Sequence, residues 1–349
     1  MSESLDNREG NKFEELKRKA KSGAAEDLRR LGELYLTGTS GAPKNPKKAL
    51  DLFLRAAQKG SGAAMNNLGL AYESGAAGKR DASEAVRWFR KGAKLGDSNA
   101  QNNLGMAYLH GDGVAASPQT AVMWFRKAAA GGLASALNCL GYCYQFGVGL
   151  EADPEKSVEA YQKASDMGLL EANVNLAWCY QQGKGVALDY DKAIELLIPA
   201  AEAGIGTGLC NLAYAYQLGL GVAQDFTKAF ELYERAAEQN VVSAITRLAV
   251  YYELGVGTPK DVTKAIELYE RAGYLGDAKG FQAAEDLRRE FATHTQRAIA
   301  NLDSVVERVP FAVSSGYGRP NPEATTEEAG ESSDGEGADS SADAETAQE

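Results

Sequence analysis

The chain is poor in the residues that most catalytic and metal centres are built from. Its 349 residues include two histidines, His110 and His294, and four cysteines, Cys139, Cys143, Cys179 and Cys210. No Ser or Cys stands out as a nucleophile with a base and an orienting acid. Cys139 and Cys143 share a helical face but lack the further His or Cys of a four-ligand metal site. Four cysteines are too few for a disulfide framework at this length, so a reducing cytoplasmic or nuclear setting fits best. No stretch approaches the roughly 18 apolar residues of a membrane span. Polar Met1 to Asn11 lacks the apolar core of a secretory signal. Cationic excess is missing as well: 37 Lys and Arg face 48 Asp and Glu. Ten of those acids lie in Pro322–Glu349, which has no base, so the first 321 residues carry a net charge of -1. Such a body offers no long-range attraction to nucleic-acid phosphates or anionic membranes. These absences point to a chain without cofactors, nucleic-acid binding, membrane insertion or catalysis.

What is present is a repeat. The pattern Leu, then Gly or Ala, two residues, Tyr, two residues, Gly occurs seven times. Its tyrosines, Tyr35, Tyr72, Tyr108, Tyr144, Tyr180, Tyr216 and Tyr252, are spaced by 37 once and then by 36 five times. A fixed period in this range means a solenoid or array.

Each period reads as two helices. Ala100, Leu104 and Tyr108, with their equivalents, recur at i, i+4 and i+8 and make one apolar helical face. The small residue after the Leu predicts close approach of a neighbouring helix. The first helix stops at a glycine column, Gly38, Gly75, Gly111, Gly147, Gly183, Gly219 and Gly255, suited to a left-handed C-terminus. The second begins at Asn45, Asp81, Ser117, Asp153, Asp189, Asp225 and Asp261, all able to accept orphan amide hydrogens. Capping also explains that acidic column better than paired catalytic carboxylates do. The Gly-x-Gly stretches at Gly147, Gly183, Gly219 and Gly255 follow no strand, so they are inter-helix turns rather than phosphate loops.

These columns, with Gly111-Asp-Gly-Val114 and Gly183-Lys-Gly-Val186 leading to Asp189-x2-Lys192-Ala193, resemble Sel1-like repeats, relatives of the tetratricopeptide repeat. The expected fold is all-α: a right-handed α-α superhelix of seven repeats over 24–276. Residues 12–23 form an N-terminal capping half-repeat, with Ala20 and Gly23 matching Ala57 and Gly60. Residues 277–309 form a helical cap whose Phe281, Ala284, Leu287, Phe291, Ile299, Leu302 and Val306 share one buried face. Residues 1–11 and the acidic 310–349 are expected to be disordered. Asp27 and Gly208 replace the first-helix Ala, which predicts looser helices there.

The resemblance implies a protein-binding adaptor whose first helices line a concave face. By similarity to tetratricopeptide repeats, the residues before the Leu and after the Gly point into that groove. The partner-binding candidates are Asn67, Asn103, Tyr142, Gln145, Asn175, Trp178, Gln181, Asn211, Tyr214 and Gln217. Amides can donate to and accept from a peptide at once, and aromatics supply contact area. The same asparagines could instead brace neighbouring repeats. The expected partners are extended peptide segments or helices of other proteins; oligomeric state is left open. Two rival roles are an activating or regulatory subunit of one enzyme, and the β-lactam hydrolysis of some cysteine-rich Sel1-like proteins, whose cysteine pairs this chain lacks. Thr325, Ser333 and Ser340, each three residues before an acid, are candidate phosphorylation sites.

Overall fold

The computed structural model describes residues 12–76 and 78–306, with side chains described up to 294 and at Gln296. It divides into two units after Thr293. The predicted Thr325, Ser333 and Ser340 sites, the acidic tail and the first eleven residues lie outside the described residues. Helix α1 covers 12–19 and runs into a 3-10 turn at Ala20–Ser22. Seven helix pairs follow: α2 Ala25–Thr37 with α3 Pro46–Gln58, α4 Gly62–Ser74 with α5 Ala82–Lys94, α6 Ser98–His110 with α7 Pro118–Ala130, and α8 Ala134–Phe146 with α9 Pro154–Asp166. The last three are α10 Leu170–Gln182 with α11 Tyr190–Glu202, α12 Gly206–Leu218 with α13 Phe226–Glu238, and α14 Val242–Leu254 with α15 Val262–Tyr274. Helix α16, Gly280–Val306, closes the described chain. The fold is an all-α solenoid, and no described helix is long and apolar enough to cross a membrane.

The punctuation is chemical and local. All seven predicted N-cap side chains accept the backbone N–H three residues on, as Asp189 does from Lys192 at 3.0 Å. The N–H of the same residue donates to the carbonyl of the preceding column tyrosine, Asp189 to Tyr180 at 3.1 Å, which clips each inter-helix loop shut. Asp189→Ala should therefore lower stability by about 1 kcal/mol. An unchanged urea midpoint would mean that the loop and not the side chain sets the start of α11.

Close approach follows from the small residue. A methyl group on Gly69 would lie 2.3 Å from Phe89 Cε1, and one on Gly141 would lie 2.5 Å from Tyr161 Cε1. Phe53, Phe89, Phe125, Tyr161 and Tyr233 are almost wholly buried and fill the space between paired helices. Helices α2 and α12 span thirteen residues like the other repeat helices despite Asp27 and Gly208, and Gly208 is buried against Ala200. In residues 12–23, Phe13 and Ala20 are buried and Gly23 adopts φ 77°.

Of the face expected for the C-terminal helix, the side chains of Ile299, Leu302 and Val306 lie outside the described residues, and the rest is buried only in part. Ala284 and Leu287 are buried, but Phe281 and Phe291 are 46% and 49% exposed. Phe281 packs edge-on against exposed Tyr274, ring centroids 4.9 Å apart.

Candidate functional site

First helices of successive repeats pack directly on one another, α4 on α6, α8 on α10 and α10 on α12, whereas second helices do not do so to the same extent. Helices that crowd together on one side and spread on the other place the first helices on the inner face of the array. The predicted groove columns lie there, partly open to solvent: Leu70 and Tyr142 are exposed, and Met106, Trp178, Tyr214 and Val250 half-buried.

Much of the asparagine column is occupied by bracing. Asn67 Nδ2 donates to Glu33 Oε1 at 2.9 Å, Asn103 Nδ2 to Asn66 Oδ1 at 2.8 Å, and Asn175 Nδ2 to Asn138 Oδ1 at 2.8 Å. The last two pairs obey one rule: donor and acceptor stand 37 residues apart. The same offset from Asn102 reaches Cys139, whose thiol instead lies 3.9 Å from Met106 Sδ. Asn102 Oδ1 is consequently buried without a partner. From Asn211 the offset leads back to Val174, which has no side-chain acceptor, and the Asn211 amide has no hydrogen bond among the described residues. Cys139→Asn should complete the missing rung and raise stability by about 1 kcal/mol. A urea midpoint that stays put or falls would show that Asn102 is satisfied by solvent.

The glutamine column is largely internal too. Gln145 Oε1 accepts from Tyr161 and Gln217 Oε1 from Tyr233, at 2.8 and 2.9 Å. Gln181 faces the α11 position held by Leu197, which offers no hydroxyl, and its Nε2 is buried without a partner.

Where the rung is missing, the inner face opens. A hollow of about 430 Å³ lies between α6, α8 and α10, lined by Met106, Leu109 and His110, by Asn138, Cys139 and Tyr142, and by Val148 and Asn175. A second hollow of about 360 Å³ shares Tyr142 and Asn175 and continues to Gln145, Phe146, Trp178, Thr207 and Asn211. The structure thus brings together Tyr142, Gln145, Asn175, Trp178 and Asn211. Asn67, Asn103, Gln181, Tyr214 and Gln217 lie outside these two hollows. Sequence reasoning missed His110 and Phe146, one helical turn beyond Met106 and Tyr142 on the same face, and Thr207, one turn before Asn211. The i, i+4 spacing that marked the core would have found them.

No acid or base pair lines the hollows. Burial pushes the Cys139 thiol up to about 11, away from the thiolate a nucleophile requires. The same cause holds Cys143 and Cys179 at about 11. Among the described residues no group of three or more His, Cys, Asp or Glu is placed to hold a metal ion. The geometry suits recognition of a neutral, partly apolar chain.

Seven segments, 25–61, 62–97, 98–133, 134–169, 170–205, 207–241 and 242–277, match the Sel1 repeat. Among solved structures, a protective antigen of uropathogenic Escherichia coli with an SLR fold is 35% identical, with a TM-score of 0.59 over 77% of this chain. The present chain spans 57% of that antigen's length. A Sel1 repeat protein from Oxalobacter formigenes is 30% identical, with a TM-score of 0.62, covering 70% of this chain and 96% of its own. No curated protein matches the chain.

Proposed function

The chain belongs to the Sel1 repeat family, and from that premise we propose that it is a non-catalytic adaptor holding partner polypeptides in the groove of its first helices. Sel1 repeat proteins are generally protein-interaction scaffolds. The observation that carries the reading for this chain is the pair of hollows joined at Tyr142 and Asn175. Aromatic side chains that keep a polar edge are the usual anchors of protein interfaces; Tyr142 and Trp178 are of that kind, with the Asn211 amide beside them. Half-burial holds their shape while leaving surface for a partner to cover.

The test is affinity capture of partners by the intact chain and by a Tyr142→Ala, Trp178→Ala, Asn211→Ala variant whose helicity is checked by circular dichroism. Captured partners are then purified and titrated against both. Asn103→Ala serves as control, because it removes a bracing bond outside the hollows. At least a tenfold loss of affinity in the triple variant alone is expected. Equal affinity for all three proteins would move recognition to the second helices or the array ends.

A further inference from the structure

Three features of the groove bear on what fills it. The hollows stand one repeat apart, and packed helix axes are separated by roughly 8–10 Å. Two side chains of a bound segment entering both hollows must therefore be about 9 Å apart on one face. A β-strand places same-face side chains about 6.6 Å apart, or about twice that. A polyproline II chain turns every third residue and rises about 3.1 Å per residue, which puts i and i+3 on one face about 9 Å apart. An α-helix comes near this spacing only at i and i+7, about 10.5 Å.

The second feature concerns polar groups left open. Asn211, Trp178 Nε1 and the Tyr142 and Tyr214 hydroxyls make no hydrogen bonds among the described residues. A helical ligand has already satisfied its own backbone. Polyproline II has no internal hydrogen bonds and presents bare carbonyls, which an indole N–H, phenols and an amide can answer.

The third is charge. Neither hollow is lined by an acid or by Lys or Arg. Just beyond them, Lys184 Nζ sits 4.9 Å from the Trp178 ring centroid and the Arg247 guanidinium 4.7 Å from that of Tyr214. Neither cation forms an ion pair among the described residues. Lys184 lies in the loop after α10, and Arg247 lies on α14.

We propose that the groove from α6 to α14 takes a partner segment in the polyproline II conformation, with apolar side chains at i and i+3 in the two hollows and acidic residues reaching towards Lys184 and Arg247. This rests on the groove being the binding face, and the experiment separates the two ideas. The probes are three fluorescein-labelled peptides that each end in two glutamates. One carries four Leu-Pro-Pro triplets, one alternates Leu and Thr, and one is an Ala-rich helix with Leu at i and i+7. Fluorescence anisotropy is measured against the full chain and against Trp178→Ala, Asn211→Ala and Arg247→Gln, each checked by circular dichroism.

The Leu-Pro-Pro peptide should bind most tightly and lose about tenfold or more with Trp178→Ala. Arg247→Gln should weaken it less and flatten its salt dependence. If the alternating or helical peptide binds more tightly, still in a Trp178-dependent way, the polyproline II proposal fails and the groove reading stands. If no peptide binds, or binding ignores both Trp178→Ala and Asn211→Ala, both fail.

Discussion

Gly149→Ala should cost about 3 kcal/mol, the larger of the two backbone effects available in one repeat. Gly149 has φ +72°, and a methyl group there would lie 2.3 Å from the Pro118 carbonyl oxygen, at the first residue of α7. The left-handed backbone alone costs a β-carbon about 1–2 kcal/mol, and forcing backbone apart in a packed contact adds about 1–3 kcal/mol. Gly168 is the internal comparison: its φ is +85°, with nothing within 4 Å of an added methyl. Gly168→Ala should thus show the strain alone, about 1 kcal/mol. Urea unfolding followed by circular dichroism measures both. Equal losses at the two positions would show that the loop yields without disturbing α7. The contact joins neighbouring repeats, because the loop after each first helix presses on the start of the previous second helix. Gly113, Gly185, Gly221 and Gly257 repeat it against Ala82, Pro154, Tyr190 and Phe226. In an array held by nearest-neighbour interfaces, weakening one of them also lowers the cooperativity of unfolding.

Tyr233→Ala should be the most damaging side-chain truncation in the sixth repeat, at about 3–5 kcal/mol. The ring is fully buried between α12 and α13, packs edge-on to Tyr251 at 5.6 Å, and donates its hydroxyl to Gln217. Tyr233→Phe separates packing from hydrogen bonding. Phe53, Phe89 and Phe125 occupy this column in the first three repeats, so the ring fits without the hydroxyl. The expected loss for Phe is about 1 kcal/mol. A Phe variant as unstable as the Ala variant would show that the Gln217 bond, and not the ring, orders the pair.

The sequence was most legible where the chemistry is local. A cap spans three residues and a left-handed glycine one, so the period carried both without tertiary information. All seven N-caps and all seven first-helix glycine stops are where the columns placed them. The starts of the first helices were less legible. Ser61 and Asp97 cap α4 and α6 with their side chains, while α8, α10, α12 and α14 follow Leu133, Leu169, Ile205 and Val241 with no side-chain cap.

The sequence by itself determined the number of repeats, their two-helix grammar, the close approach at the small residue after each Leu and the aromatic-amide column. Only the tertiary structure decided which asparagines are spent. Asn103 and Asn175 find acceptors 37 residues away, whereas the same offset from Asn211 leads to Val174, which offers none. It also decided that the second glycine of each Gly-x-Gly serves the preceding repeat, and that Phe281 and Phe291 remain exposed at the end of the array. The reason is one of range. A repeat specifies its own helices through neighbours a few residues apart, but whether a polar or apolar side chain is satisfied depends on what the adjoining repeat presents.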